Sequence, residues 1–260
     1  MMFVLRKWWF YGIVAVLSFI YFLFGNLPAS FVYQLVSTRI APLQLVSLSG
    51  TLWSGRADQM IYPPVQLDAV RWEVNPREIV RGKLTGLFYL GNSKQFRVRG
   101  RFDLLEHNRV RLRQVNGESS IPFVTNLFKG FPLRINGDID LALDDFSLRE
   151  NGFPEITGRV HLTGFEIGPP WKVFLGDLRL VFGMDGDLLN VQINDVRSPL
   201  IVDAKLQVWE AGRYRLKGDI EVRADTNKQA MEEFLRNNLG LVANNGRFSL
   251  NYTGDVPYFR

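Results

Sequence analysis

From about residue 43 to the C-terminus, apolar and polar residues alternate with a period of two, and that pattern admits little other than β-strand. Leu133, Ile135, Ile139, Leu141 and Leu143 alternate with Arg134, Asn136, Asp138 and Asp140. Phe96, Val98, Phe102 and Leu104 alternate with Arg97, Arg99, Arg101 and Asp103. Val202, Ala204, Leu206 and Val208 alternate with Asp203, Lys205 and Gln207, and Tyr214, Leu216, Ile220 and Val222 with Arg215, Lys217, Asp219 and Glu221. Successive side chains of a strand point to opposite faces, so each run has one apolar face and one wet face. Turn-forming pairs, Asn116-Gly117, Asn151-Gly152, Asp185-Gly186 and Asn245-Gly246, separate many of the runs. The expected fold is mainly β, an antiparallel meander.

A short unit recurs inside these runs: apolar, any residue, Gly, any residue, apolar. It is centred on Gly50, Gly100, Gly137, Gly158, Gly218 and Gly254. The spacing is irregular, which excludes a fixed-period solenoid. Each glycine shares a face with its apolar neighbours. One reading is that glycine relieves strain where a sheet bends or coils. The other is that missing side chains on the apolar face leave a groove, lined by Phe96, Phe102, Tyr214, Phe248 and Tyr252 and floored at Gly100, Gly137, Gly158, Gly218 and Gly254. Both lead to a strongly curved sheet, groove-like or sandwich-like. A groove of this kind would accept lipid or an apolar peptide segment.

The N-terminus is different. Residues 8–24, WWFYGIVAVLSFIYFLF, carry no charge. As a helix they span ~26 Å, close to the ~30 Å hydrocarbon core of a bilayer. Arg6 and Lys7 precede the run and no basic residue follows until Arg39, so the positive-inside rule places Met1 in the cytoplasm. A cleaved signal peptide is the rival reading, but a cut after Ala29 would put Leu27 at −3, where a small residue is wanted. The expected organisation is a cytoplasmic tail (1–7), a transmembrane signal anchor (8–27), a connecting helix or linker (28–42) and a β domain outside the membrane (43–260).

Four short helices are expected beyond the anchor. Ser30 is placed as the cap of one that ends before Pro42. Asn75, with Pro76 at the first helical position and Glu78 at the third, starts a second. A third covers residues 120–129, and a fourth covers 225–240, capped by Asp225 or Thr226 and stopped by Gly240. The fourth is expected to lie across one end of the sheet.

The search for chemistry finds none. There is no cysteine, hence no disulfide, thiol nucleophile or Cys-type metal site. The two histidines, His107 and His161, have no partner at metal-ligand spacing. Asp138, Asp140, Asp144 and Asp145 read as the wet face of a strand and its turn, since no glycine stands where a calcium loop needs one. Nucleophile-elbow, phosphate-loop and dinucleotide motifs are absent. No catalytic residue, cofactor or metal is expected, and the chain reads as a non-enzyme. The net charge of +5 includes Arg6 and Lys7, and the other basic residues are spread among acidic ones rather than gathered in a stripe, which argues against nucleic acid. Trp53, Trp72, Trp171 and Trp209 are expected in the core. Trp53 is placed as a buried plug beneath the first hairpin, with Gly55 at positive φ.

Residues 48–57, LSGTLWSGRA, resemble the opening motif of the type II secretion system protein N family. The residues carrying the likeness are Gly50, Trp53, Ser54 and Gly55, preceded by an anchor and Leu27-Pro28-Ala29. A second block, VRWEVNP at 70–76 with Trp72 and Pro76, followed by Ile79, Val80, Gly82 and Leu84, is similar too. Residues 133–143 and 214–225 fit the later strands more loosely. The resemblance implies an inner-membrane accessory of the secretion machinery, single-pass, with its C-terminal domain in the periplasm of a Gram-negative cell. It supports export of folded periplasmic proteins through contacts with other secretion subunits. It implies no catalytic residues. A more distant likeness in fold, to periplasmic groove proteins linked to lipid movement, implies a groove for lipid or apolar segments.

Overall fold

In a computed structural model, the chain is described over residues 2–255, except 39–40, 64, 80, 94–95, 106–108, 128–133, 149–152, 170–171 and 224–227. Two helices lead: α1 (Met2–Gly25) and α2 (Ala29–Val36). The sheet begins with β1 (Gln44–Val46), β2 (Ser49–Gly50), β3 (Ser54–Tyr62) and β4 (Val65–Val74). After α3 (Pro76–Ile79) come β5 (Leu84–Ser93), β6 (Phe96–Leu104) and β7 (Val110–Ser120). After α4 (Ile121–Leu127) come β8 (Ile135–Leu148), β9 (Pro154–Ile167), β10 (Val173–Asp185), β11 (Leu188–Arg197), β12 (Leu200–Trp209) and β13 (Arg213–Val222). Last are α5 (Lys228–Leu239), β14 (Ala243–Asn244) and β15 (Arg247–Asp255).

All the strands join one open, curved antiparallel sheet, in the order β1, β3 through β13, β15, β14, with β2 beside β3. The order follows the sequence because neighbouring strands are joined by short connections, and a meander closes its loops at the lowest entropy. The register keeps one face apolar across the sheet. A single transverse row runs Gly55, Trp72, Phe88, Gly100. The row resumes at Val115 and continues through Leu143, Gly158, Phe182, Val191, Leu206, Leu216 and Tyr252. The next row toward the α5 end holds Val70, Leu90, Val98, Gly117, Leu141, Val160, Leu180, Ile193, Ala204, Gly218 and Leu250. A one-residue slip would turn a whole strand's apolar set to water, so the pattern fixes the pairing.

Two cores close parts of this face. Around α5, Met231, Phe234 and Leu235 pack with Leu200, Ile220, Val222, Leu241 and Phe248. Ile167, Val173 and Leu175, from β9 and β10, lean on the same cluster as Leu250 of β15, so the sheet wraps round the helix. The second core, near the opposite strand ends, gathers Leu189, Val191 and Val208 around Phe153, which has no exposed surface.

Several local expectations change. Asn116-Gly117 is not a turn but lies inside β7. A β-carbon on Gly117 would sit 2.7 Å from Val98 Cγ2 and 2.8 Å from the Arg97 carbonyl, so glycine there serves close strand approach. The cap of α2 is Pro28, with no side-chain hydrogen bond, rather than Ser30. Trp209 is half-buried beneath the Arg215 guanidinium, 5.6 Å from its ring centre, instead of in the core. The cap of α3 is as read, with Asn75 Oδ1 accepting from Arg77 N at 3.1 Å, and at the start of α4 Ser120 Oγ accepts from Phe123 N at 3.3 Å. Gly240, at φ 64°, follows α5, which does lie across one end of the sheet. Asp225, Thr226, Asn151-Gly152, His107 and Trp171 lie outside the described residues. Among the described residues no helix is long and apolar enough to cross a membrane; side chains on α1 are described only from Trp9 onward.

Candidate functional site

The turn between β2 and β3 docks on the end of α1. Trp53 Nε1 donates to the Phe24 carbonyl at 2.7 Å, and the two rings lie 4.6 Å apart, tilted at 55°. Leu52 N donates to the Leu27 carbonyl at 2.9 Å, and Pro28 bridges to Thr51. The last carbonyls of a helix have no partner within it; here the turn supplies one, while Asn26 Nδ2 caps Phe22 at 2.9 Å. Ser54 continues the turn: its amide donates to Thr51 Oγ1 at 3.1 Å and its carbonyl accepts from Thr51 N at 2.9 Å. Gly50 takes φ 87° opposite Gly55, where a β-carbon would meet the Ser54 carbonyl at 2.5 Å.

Trp53 is therefore half-buried against the helix and is not the plug of the first hairpin. The ring beneath that hairpin is Trp72, whose Nε1 donates to the Leu52 carbonyl at 3.0 Å. Gly55 is not at positive φ. It must be glycine because a β-carbon would fall 2.3 Å from Trp72 Cζ2 and 2.8 Å from the Thr51 carbonyl. Pro76 opens α3 immediately beyond β4, and Val74 N donates to the Trp53 carbonyl at 2.7 Å. The two sequence blocks thus form one structure, the joint between α1 and the sheet.

Glycines on the apolar face fall into two kinds. Some lie under an aromatic ring from the adjacent strand: Gly100 under Phe88, Gly86 under Phe102, Gly254 under Tyr214. A ring flattened over a strand fills the volume that the glycine vacates. Others sit where strands approach closely. A β-carbon on Gly158, at φ 140°, would lie 2.5 Å from the Leu143 Cα, and one on Gly218 2.4 Å from the Ala204 Cα. Gly137, at φ 128°, faces the Thr163 and Gly164 carbonyls. The glycines thus accommodate rings and close backbones rather than floor an empty channel.

The apolar face is nevertheless uncovered over much of its length. Phe88, Phe102, Leu112, Ile139, Leu141, Leu143, Val160 and Leu162 are only half-buried, while the opposite face of β8 is exposed at every second residue from Asp138 to Asp144. Phe96 stacks on Phe123 of α4, centroids 5.0 Å apart, and closes one side. Phe248 is fully buried in the α5 core, whereas Tyr252 is 40% exposed. The wet face carries cross-strand ion pairs. The Arg111 guanidinium grips both Asp145 oxygens, through Nε at 2.7 and 2.9 Å, and that hydrogen bond holds its pKa above the usual value. His161 lies opposite Asp140 on this face.

These features define a class: one open sheet with a charged face and a half-covered apolar face, held at its first hairpin by an N-terminal helix. The chain belongs to the type II secretion system (T2SS) protein N family, which it matches over residues 41–251. It is 25% identical over 244 residues to the type II secretion system protein N of Aeromonas hydrophila, covering 92% of this chain and 95% of that one. No solved structure matches it significantly. The family match starts after α1, so the Trp53 and Trp72 side of the joint lies inside it and Phe24, Leu27 and Pro28 lie outside.

Proposed function

We propose that this protein is a non-catalytic accessory of the type II secretion system, anchored in the inner membrane by residues 8–27, with its sheet in the periplasm. The joint between Trp53 and Phe24 carries this reading. A tie of this kind has a purpose when the helix is held by something else, and among the described residues α1 presents a run of exposed apolar side chains from Trp9 to Leu23. The sheet then stands at a fixed attitude to the bilayer and works through contacts with other secretion subunits. Affinity purification of the full chain from secreting cells tests this: secretion subunits should be enriched with it, and their absence would contradict the reading.

A second reading rests on the half-covered apolar face. It would hold an acyl chain or an apolar segment of a partner, in a trough running across the strands. Native mass spectra of the purified protein should then show bound lipid. Leu141→Gln with Leu143→Gln, at half-buried positions, should remove it without unfolding the sheet. Bulky side chains at Gly137 or Gly218 would not serve as a test, because the neighbouring backbone leaves no room there.

A further inference from the structure

Along the chain the basic residues are spread among acidic ones, but the register gathers arginines on the charged face of β3 to β7. Every basic residue within these strands is arginine. Two pairs stand directly opposite each other, Arg56 with Arg71 and Arg101 with Arg113. Arg71 and Arg99 flank Tyr89 in the same transverse row. Like charges directly opposite across a sheet are destabilising, so each calls for a neutralising partner. Arg113 has one in Asp103, Arg97 in Glu118 and Arg111 in Asp145. Arg71, Arg99 and Arg101 are exposed, and among the described residues their guanidinium groups make no ion pair or hydrogen bond. Glu73, the carboxylate in the row of Arg101, is two strands away with Leu87 between.

We propose that Arg71, Arg99 and Arg101 form a site for the phosphate groups of anionic phospholipid in the membrane that α1 enters; the proposal rests on the anchored reading above. Arg99 and Arg101 lie ~7 Å apart along β6, and Arg71 lies ~10 Å from Arg99 across Tyr89, so the three guanidinium groups share one patch. A guanidinium presents a planar fork of N–H donors that grips phosphate oxygens in pairs, where a lysine offers only a point charge. The patch sits toward the α1 end of the sheet. Arg56, opposite Arg71, is three residues beyond Trp53, ~10 Å along the strand, and Trp53 lies against Phe24 near the end of the helix. An anchored α1 holds that turn at the headgroup level, where tryptophan settles. Beside the patch, Arg101 and Lys83 line an open cleft of ≈ 1220 Å³ between α3 and β7. Two of its carboxylates, Glu78 and Asp103, are already paired with Arg81 and Arg113, which leaves Glu73 against Lys83 and Arg101. Unmatched positive charge next to the helix end selects an anionic lipid over an uncharged one.

The chain has no cysteine, so a single introduced one can carry an environment-sensitive dye. In the full-length protein in uncharged detergent, a dye on Asn116→Cys, opposite Arg99, should shift its emission on addition of dihexanoyl phosphatidylglycerol and not of dihexanoyl phosphatidylcholine. A dye on Gln192→Cys, exposed on β11, should respond to neither. Adding Arg99→Gln and Arg101→Gln to Asn116→Cys should weaken the phosphatidylglycerol response at least several-fold. Its melting temperature should stay at or above that of the parent, since removing unmatched charge relieves repulsion. Arg99→Lys with Arg101→Lys in their place should keep only part of the response. Equal responses to the two lipids, or an unchanged response in the glutamine variant, would overturn the proposal. So would a response to inorganic phosphate as strong as to the lipid, the mark of a free-anion site, or a response to polyglutamate alone, the mark of a dock for an acidic protein. Anchoring is tested apart: reconstituted with phosphatidylcholine vesicles, which carry no net charge, the full chain should float with them. A chain that floats but gives no lipid response refutes the headgroup site alone, and a chain that responds in detergent but does not float refutes the anchor alone.

Discussion

The indole N–H of Trp53 donates to the backbone carbonyl of Phe24, and the two rings lie against each other. Twenty-nine residues separate them in sequence, and the contact joins the helix before the sheet to the first turn of the sheet. The same turn receives Trp72 from beneath. Two tryptophans therefore act on one turn from opposite sides, one toward the helix and one toward the sheet.

Gly55 should not tolerate a side chain. Its β-carbon would overlap the Trp72 ring and the Thr51 carbonyl, and overpacking typically costs ~1–3 kcal/mol. Gly55→Ala should lower the unfolding free energy by that amount, seen as an earlier denaturation midpoint, and Trp72→Leu in the same chain should recover part of it. An unchanged midpoint for Gly55→Ala would show that the ring does not lie there.

The contrast between covered and uncovered parts of the apolar face should appear in paired truncations. Leu235, 1% exposed on the buried face of α5, should cost ~2–5 kcal/mol on change to alanine. Leu141, half-buried on the open stretch, should cost about 1 kcal/mol or less, since less surface leaves water on folding. Urea denaturation of the two variants decides it. Equal losses would mean that the face is closed along its whole length.

Much of this architecture was legible in the sequence because the rule behind it is local. Period-two alternation located β6, β8, β12 and β13, the cap at Asn75 located α3, and a helix over residues 120–129 anticipated α4. What was hidden depends on register. That Gly100 lies under Phe88, or Gly55 under Trp72, follows only once it is known which residues stand opposite, and a glycine pattern alone cannot separate a ring's seat from an empty floor. Asn116-Gly117 misled for the same reason: as a dipeptide it has turn chemistry, while inside β7 its glycine answers to Val98 across the sheet. Phe24 gave no signal at all, being one aromatic residue among many in an apolar run. Trp53 carried the right motif, but its partner was sought in the hairpin rather than in the helix.

The membrane topology is open to a direct check. A reporter enzyme that works only in the periplasm, fused after Arg260, should be active. Activity solely from a cytoplasmic reporter at the same position would reverse the orientation.

Catalysis by imidazole is expected to play no part. Replacing His107 and His161 together by glutamine should leave secretion at its normal level. Lost secretion by a normally folded double variant would place one of them in a functional site.

The most direct test of the joint is Trp53→Ala in secreting cells, with exported protein measured relative to the cellular amount of the variant. The Trp53 ring lies against α1 and is only half-buried, so its loss removes one hydrogen bond, about 1 kcal/mol, with little core packing. The variant should accumulate to near wild-type amounts and melt close to wild type, while export per folded molecule falls several-fold. A cellular amount that drops in proportion to export, with a melting loss as large as that of Trp72→Ala, would contradict this account and return Trp53 to the core.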